Sequence, residues 1–209
     1  MVRHPQKVAA LAGKVEIAVG NLDKPETLSD ALKGIQQLYF VTAQTQQVRH
    51  LLEAAQHAGV RHVVKQSTIE AGRSLGPGKW HRQQEELVKS MGFEWMHLRP
   101  TMMMVNTIQW WAETIKSQNA VYFPGGKGKV PAVDPADVAA VAGAVLTETG
   151  YVGKIFDITG PQSLTIGEMV EILAKVIGKP IKYIDVPVFA AAIAMLRNGT
   201  SLNLAYHLT

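Results

Sequence analysis

Residues 63–106, VVKQSTIEAGRSLGPGKWHRQQEELVKSMGFEWMHLRPTMMMVN, decide the fold of this chain. An apolar, β-branched run predicts a strand over residues 62–66, and the glycine- and proline-bearing segment after it predicts a loop. Residues 81–90 are predicted to form a helix, and residues 94–98 a second strand. The stretch therefore indicates a strand–loop–helix–strand unit of the kind found in α/β proteins.

Both predicted strands end in residue types that suit a ligand pocket. Ser67 directly follows the first strand, and Pro100 follows the second. In open α/β sheets, ligands bind at the carboxyl ends of the strands. If the two strands are parallel neighbours, Ser67 and Pro100 open onto the same crevice.

The rest of the chain continues the alternation of strands and helices, which favours a Rossmann-like, doubly wound parallel sheet. Residues 37–42 are predicted to form a strand and residues 46–59 the helix that follows it. We expect an incomplete Rossmann-like domain over residues 1–125. Residues 126–209 are then a C-terminal α/β part with a small lobe that covers the substrate.

Several motifs, in order along the chain, resemble the NmrA-like family of atypical short-chain dehydrogenases/reductases, which bind NAD(P). They are the strand ending in Ser67, His81 with Glu85 one helical turn later, Leu98-Arg99-Pro100, Asn106, VDPADVAAVAGAVL over residues 133–146 and FDITGP over residues 156–161. Each motif is loose by itself, and the match rests on their common order and spacing. The resemblance implies an NAD(P)H-dependent oxidoreductase that acts on a quinone-like or other apolar acceptor.

The resemblance implies catalytic roles for Ser67 and His81. In ordinary short-chain dehydrogenases a serine polarises the substrate carbonyl, a tyrosine donates the proton, and a lysine four residues later lowers the tyrosine pKa. Here His81 stands at the tyrosine position and Glu85 at the lysine position. His81 can serve as the acid because imidazole titrates near neutrality, and Glu85 can orient it or raise its pKa. The alternative is an ion pair on the helix surface with no catalytic part.

The family positions that bind NADP or NAD are matched, by resemblance, at Arg3, Lys7, Thr42, Ala43, Ser67 and Pro100. Arg3 and Lys7 match positions that meet the 2′-phosphate of NADP, while Thr42 and Ala43 match the loop along the nicotinamide-side ribose. Two alternatives stay open. One is that Arg3 belongs to a frayed N-terminus, because order is poor at a chain end. The other is that Pro100 ends a strand and has no contact with the cofactor.

An apolar cluster after the second strand is the candidate substrate pocket. Its members are Met102, Met103, Met104, Trp110 and Trp111, and Asn106 matches a family position beside the pocket. Flexible thioethers and flat rings suit an aromatic or quinone-like substrate. We assign substrate contacts to Met102, Asn106 and Trp110. The alternative is that the cluster belongs to the hydrophobic core.

The chain contains no Gly-rich turn between a strand and a helix of the kind that holds a pyrophosphate. The glycine-rich FPGGKGK at residues 123–129 lacks that context and is interpreted as a hairpin or surface turn. We expect either a fragment or a complete protein that repacks its sheet, with cofactor binding weak or absent. In that sheet a strand over residues 15–20 pairs with the strand over residues 37–42, or two chains form a homodimer through that edge.

Composition narrows the function further. The chain has no cysteine, which removes disulfides and thiolate chemistry, and no pair of histidines has the spacing of a metal site. Its 21 basic and 17 acidic residues form no basic block, so nucleic acid is not an expected partner. Neither a signal sequence nor a membrane span is apparent, and we expect a cytoplasmic protein. Two rivals to the enzyme remain: a non-catalytic NAD(P)-sensing regulatory protein, and a truncated scaffold that binds no nucleotide.

Overall fold

The computed structural model describes residues 1–41, 44–73, 76 and 78–197. The chain divides into two compact units, each formed by several segments. The first contains the described residues of Met1–Ser67, Trp80–His97 and Ala142–Ile155, and the second contains those of Thr68–Lys79, Leu98–Val141 and from Phe156 onward. The division that the sequence suggests between residues 125 and 126 stays a prediction.

The described strands are β1 (Gln37–Phe40), β2 (His62–Gln66), β3 (Glu94–Pro100), β4 (Ala120–Phe123), β5 (Lys129–Val130), β6 (Ile155–Ile158), β7 (Leu164–Thr165) and β8 (Lys182–Asp185). The described α-helices are α1 (Leu28–Leu32), α2 (Thr45–His57), α3 (Gly78–Ser90), α4 (Asn106–Gln118), α5 (Pro135–Thr147), α6 (Ile166–Ile177) and α7 (Val188–Arg197). Short 3-10 helices lie at Pro5–Leu11, Pro25–Thr27 and Ile69–Gly72.

A four-stranded sheet with the order β1-β2-β3-β6 confirms the predicted α/β class with a parallel sheet. β1 and β2 pair in parallel, with Phe40 opposite Lys65 at the carboxyl end of the pair. Partners in a parallel pair project to the same face of the sheet. This register therefore brings the ring of Phe40 and the side chain of Lys65 together.

The first unit has its own core, which the helical period of α2 explains. Val48, Leu51, Leu52 and Ala55 recur at intervals of three and four residues and are all buried. They join a cluster that includes Val63 of β2. The amphipathic pattern thus places α2 against the sheet, as the sequence predicts.

Helix α3 begins three residues before the predicted start at His81. Its first residue, Gly78, lies so close to the backbone of Glu70 that a Cβ would come within 2.4 Å of the Glu70 carbonyl. Only glycine allows this approach. Further along, Gln84, Glu85 and Val88 are buried, so one face of the helix packs inward with two polar side chains on it.

The second unit is built around Trp111 of α4 and Ile166, Met169 and Val170 of α6. β4 pairs in parallel with β8, and β5 pairs antiparallel with β7. α6 begins with a capping box, in which Thr165 and Glu168 each bond to the backbone of the other. A threonine followed three residues later by a glutamate is the sequence pattern of this cap, and the cap fixes where the helix starts.

The predicted strand over residues 15–20 is wrong. Val15 and Val19 are more than half exposed, and the segment makes only isolated bridges, Val19 with Val2 and Val15 with Ala12. A strand needs several consecutive residue pairs with a neighbouring strand, and single bridges to Val2 and Ala12 do not supply them. The segment therefore does not pair with β1, which ends the four-stranded sheet.

Within the residues that the structure describes, no helix is long and apolar enough to cross a membrane.

Candidate active site

A buried polar cluster lies at the carboxyl end of β2 and against α3, within the first unit. Lys65 and Glu85 are both 0% exposed, and Ser67 is 4% exposed. His81 is half-buried at the outer side of the cluster. Charged side chains are almost never fully buried unless they are paired, so this cluster requires a physical explanation.

The ammonium group of Lys65 has partners on several sides. Its Nζ donates to the backbone oxygen of Gln66 at 3.0 Å and lies 3.2 Å from Nδ1 of His81. The same Nζ lies 5.3 Å from the centre of the Phe40 ring, a cation–π distance. The negative charge of Glu85 raises the pKa of Lys65, but burial lowers it more, so that the pKa falls to about 8.

Ser67 and Glu85 form a second contact in the cluster. Oγ of Ser67 donates to Oε1 of Glu85 at 2.6 Å. Glu85 is therefore not on the helix surface, and the alternative of a surface ion pair between His81 and Glu85 is wrong. Because the hydroxyl hydrogen of Ser67 points to Glu85, this geometry does not offer it to a substrate carbonyl.

The pKa of His81 differs from the expectation drawn from the sequence. Burial and the neighbouring positive charge of Lys65 lower it to about 4, and the opposing effect of Glu85 is smaller. The imidazole is thus neutral at pH 7 instead of titrating near neutrality. The expectation failed because it included neither the burial of the imidazole ring nor the charge of Lys65.

A second polar contact closes the end of the β1–β2 pair. The hydroxyl of Tyr39 donates to Oε1 of Gln66, and burial raises the pKa of Tyr39. Gln66 is itself buried. Together with the Lys65 cluster, this contact makes the carboxyl end of β2 a polar site that is largely closed to water.

Sequence reasoning missed Lys65. Its signal is a lysine inside the run HVVKQ, where the strand pattern calls for an apolar residue. A long side chain can reach water from many strand positions, so the letters alone do not reveal burial. Only the packing of α3 over this position shows it.

The candidate cofactor residues have different outcomes. Arg3 is exposed, and its Nη1 lies 3.8 Å from Oδ2 of Asp23. Lys7 is exposed within the first 3-10 helix. Thr42 and Ala43 lie outside the described residues, and their roles stay predictions.

The remaining candidates lie in the second unit. Pro100, the last residue of β3, is buried, and Met102 packs against the core of that unit. Asn106 is half-buried and begins α4. Trp110 is 46% exposed and stacks on Phe123 with ring centres 5.7 Å apart. Their predicted roles as cofactor and substrate contacts stay predictions.

Of the two tryptophans in the apolar cluster, Trp111 is 1% exposed and belongs to the core. The exposed ring of Trp110 is the one available to a ligand. The alternative that the cluster is core therefore holds for Trp111 and not for Trp110.

The glycine-rich turn after β4 is not a phosphate-binding loop. The backbone N–H groups of Gly125 and Gly126 donate to Oδ1 of Asp185 at 3.2 and 3.0 Å. The hydroxyl of Tyr183 donates to the same oxygen at 3.0 Å. A carboxylate of the chain itself thus occupies the donors that a phosphate would need. The segment is a turn rather than a hairpin, since β4 and β5 pair with different strands.

The chain belongs to the NAD(P)H-binding family, whose model matches residues 1–149. An NAD(P)H azoreductase from Xenophilus azovorans is 32% identical over 98% of this chain and 74% of its own length. The resemblance to atypical short-chain dehydrogenases/reductases is confirmed, and the class is that of NAD(P)H-dependent oxidoreductases.

Two solved structures of reductases are also similar to this chain. An NADPH-dependent quinone oxidoreductase from Escherichia coli, complexed with NADPH, has a TM-score of 0.83 at 26% identity and covers 99% of this chain and 75% of its own. A triphenylmethane reductase from Citrobacter sp., complexed with NADP(H), has a TM-score of 0.79 at 25% identity, with 99% and 75% covered.

The buried cluster lies at the carboxyl end of β2, where ligands of parallel-sheet folds bind. His81 of α3 is its most accessible side chain, because Lys65 and Glu85 are fully buried and the hydroxyl of Ser67 donates to Glu85.

Proposed function

We propose that this chain uses NAD(P)H to reduce a flat, conjugated, apolar acceptor such as a quinone or an azo compound, with His81 as the proton donor. The observation that carries the proposal is the buried cluster of Lys65, His81, Glu85 and Ser67. A structural sheet would not need two fully buried charged side chains at its carboxyl end. The reductases to which the chain is similar support the class of acceptor.

In this mechanism the bound nicotinamide supplies the hydride, and the residues of the chain handle the proton. Nδ1 of His81 faces Lys65 at 3.2 Å, which leaves Nε2 as the atom that can meet the substrate. Glu85 holds the hydroxyl of Ser67 and compensates the charge of Lys65. Trp110, with its exposed ring, is the proposed contact for a flat acceptor.

The test follows NADPH and NADH oxidation at 340 nm with a benzoquinone and with an azo dye as acceptors. His81→Asn keeps a polar side chain but cannot transfer a proton, and we expect it to lower kcat at least tenfold. General acid catalysis contributes about a hundredfold at its lower end, so a tenfold loss is a cautious threshold. His57→Asn, at an exposed histidine of α2, is the matched control and should leave kcat unchanged. An unchanged rate in His81→Asn would refute the role of His81.

A calorimetric titration with NADPH, run beside NADH, separates this proposal from its rivals. Micromolar binding with turnover supports the enzyme. Binding without turnover supports the non-catalytic NAD(P)-sensing protein, which one observation favours: the hydroxyl of Ser67 is held by Glu85 rather than offered to a substrate. No binding at millimolar cofactor supports the scaffold that takes no nucleotide.

We also propose that two chains associate along β1. This strand ends the four-stranded sheet, and Val41, directly after it, is more than half exposed. An unpaired strand edge with apolar side chains recruits another chain. Light scattering coupled to size exclusion should give twice the chain mass of 22.8 kDa, and Val41→Lys should shift the particle toward the monomer. A monomeric wild-type particle would contradict this proposal.

A further inference from the structure

Lys65 is a feature that the fold alone does not require. It is the penultimate residue of β2 and is 0% exposed. Its neighbours Val63 and Val64 are equally buried, but their side chains are apolar. An ammonium group loses its hydration when it is buried, and it stays charged only where partners replace the water. One of these partners is His81, which can itself carry a proton. The contact therefore indicates a role for Lys65 in proton transfer.

The contact between Lys65 and His81 fixes the protonation of the imidazole ring. An ammonium group has three donors and no acceptor. At 3.2 Å, the protonated Nζ of Lys65 therefore makes Nδ1 of His81 an acceptor. The single proton of the neutral ring must then lie on Nε2, the atom away from Lys65.

A neutral imidazole is a weak acid by itself, because losing its only proton creates an anion. The ring can release the Nε2 proton readily only if Nδ1 receives another proton at the same time. Lys65 is the donor in contact with Nδ1. In ordinary short-chain dehydrogenases a lysine stands at the position of Glu85. Here that position is negatively charged, and Lys65 of β2 supplies the positive charge instead.

We propose that Lys65 is a positioning residue that holds His81 in its Nε2–H form and supplies a proton to Nδ1 when Nε2 gives its proton to the substrate. This inference rests on the proposed function of His81 as the proton donor. The hydride reduces the acceptor by two electrons, and the anion formed takes the proton from Nε2. The Nε2–H bond breaks as a bond between Nδ1 and the Lys65 proton forms, and Lys65 becomes a neutral amine.

The resting state returns with one proton from the solvent. That proton binds Nε2, and the Nδ1 proton passes back to the amine of Lys65. The imidazole then regains its Nε2–H form and Lys65 its charge. One hydride and one solvent proton are consumed in each turnover, and no group of the protein changes its oxidation state.

This relay has a distinct dependence on pH. Among the described residues, the groups that face Lys65 include Phe40 of β1, the backbone oxygen of Gln66, and His81 and Glu85 of α3. With the pKa of Lys65 at about 8, the ammonium group is the main form at pH 7 and is lost above pH 8. We therefore expect kcat to fall as the pH rises through about 8.

The first test uses nitrogen-15 NMR of the imidazole in the cofactor-free protein, so it does not depend on turnover. The wild type should show His81 protonated at Nε2 at pH 7. In Lys65→Met, which cannot donate, this bias should disappear. Lys65→Arg should keep the bias, because guanidinium also has donors only. Nδ1 protonation of His81 in the wild type would overturn the proposal.

The second test measures kcat and KM from pH 6.5 to 9.5. Lys65→Met should lower kcat at least tenfold, change the KM for NADPH less than twofold, and lose the fall near pH 8. Lys65→Arg should also be slow, because guanidinium does not give up a proton in proteins. Lys89→Met, at a partly exposed position in the last turn of α3, removes the same charge and should behave like the wild type.

The outcomes separate this inference from the function on which it rests. If Lys65→Met keeps the wild-type rate and the fall near pH 8, the relay is wrong even where His81→Asn is inactive. If His81→Asn keeps the wild-type rate, the role of His81 in the proposed function is wrong and the relay fails with it. Loss of rate in Lys65→Met with an unchanged His81 proton position would overturn the relay and leave His81 as the acid.

Discussion

The stability of this protein should depend on pH through Lys65. The pKa of Lys65 falls from its usual 10.5 to about 8 because the residue is buried. Between these two values the unfolded chain binds a proton that the folded chain does not. The contribution of Lys65 to the free energy of unfolding must therefore rise with pH across this window and be smallest below pH 8.

The size of the effect follows from the two pKa values. Each pH unit between them changes the free energy of unfolding by about 1.4 kcal/mol. The full window from about 8 to 10.5 thus corresponds to about 3 kcal/mol for Lys65. Such a contribution is a large part of the total stability of a typical domain, which is about 5–15 kcal/mol.

Lys65→Met isolates this contribution, because it removes the titrating group and keeps an unbranched side chain. Urea denaturation followed by circular dichroism gives the free energy of unfolding of both proteins at pH 7.5, 8.5, 9.5 and 10. The difference, wild type minus variant, should rise by about 2–3 kcal/mol over this range. Tyr39, whose pKa burial raises, is present in both proteins, so its titration cancels in the difference.

Lys89→Met is the matched control, since it removes the same formal charge from a partly exposed position of α3. Its difference from the wild type should not reproduce the rise. A Lys65→Met difference that stays flat from pH 7.5 to 10 would show that Lys65 keeps its proton in the folded protein. The reasoning from burial, and the pH limit expected for catalysis, would then both be refuted.

Three further predictions concern other parts of the chain. Trp110→Ala should leave the fold intact, because the ring is half exposed, but raise the KM for a quinone severalfold in steady-state assays. Asp185→Asn should remove a contribution of the carboxylate to stability. This contribution is complete above the usual carboxyl pKa of 3.8 and is lost as the pH falls through the lowered pKa of Asp185. Melting temperatures at pH 6 and pH 2.5 will test this, since backbone hydrogen bonds, Gly126 first, lower that pKa. Gly78→Ala should destabilise the protein by about 1–3 kcal/mol in urea, because a Cβ there overlaps the neighbouring backbone.

Each of these predictions has its own contradicting outcome. Trp110→Phe should keep most of the quinone affinity, and an unchanged KM in Trp110→Ala would remove the ring from the substrate site. Equal melting temperatures of wild type and Asp185→Asn at pH 6 would show that the turn does not need the carboxylate. Gly143→Ala, at an exposed helix position with nothing within 4 Å, should be neutral or stabilise by up to about 1 kcal/mol. If Gly78→Ala changed the free energy of unfolding as Gly143→Ala does, the steric argument for Gly78 would be wrong.

Local patterns in the sequence were sufficient to predict several helices and strands. The β-branched run at His62–Gln66 forms β2 with the predicted bounds, and the helical period of α2 matches its buried face. The capping box of Thr165 and Glu168 also follows a pattern of only four residues. These features depend on residues that are close in the chain, so their physical causes can be read from spacing alone.

The failed strand at residues 15–20 shows where local patterns stop being sufficient. Its alternating residues have strand propensity, but a strand exists only if a partner supplies a ladder of hydrogen bonds. The partners here are Val2 and Ala12, which give single bridges with Val19 and Val15. Pairing is a property of the whole fold and cannot be deduced from the segment.

By itself, the sequence determined the α/β class, which follows from periodicity, and the family resemblance, which rests on motifs in a common order and which made Ser67 and His81 candidate site residues. Only the tertiary structure decided the chemistry of the site. The packing of α3 against β2 buries Lys65 beside His81 and directs Ser67 to Glu85. The protonation of a side chain depends on water and charges within a few ångströms, and residues far apart in the chain supply these.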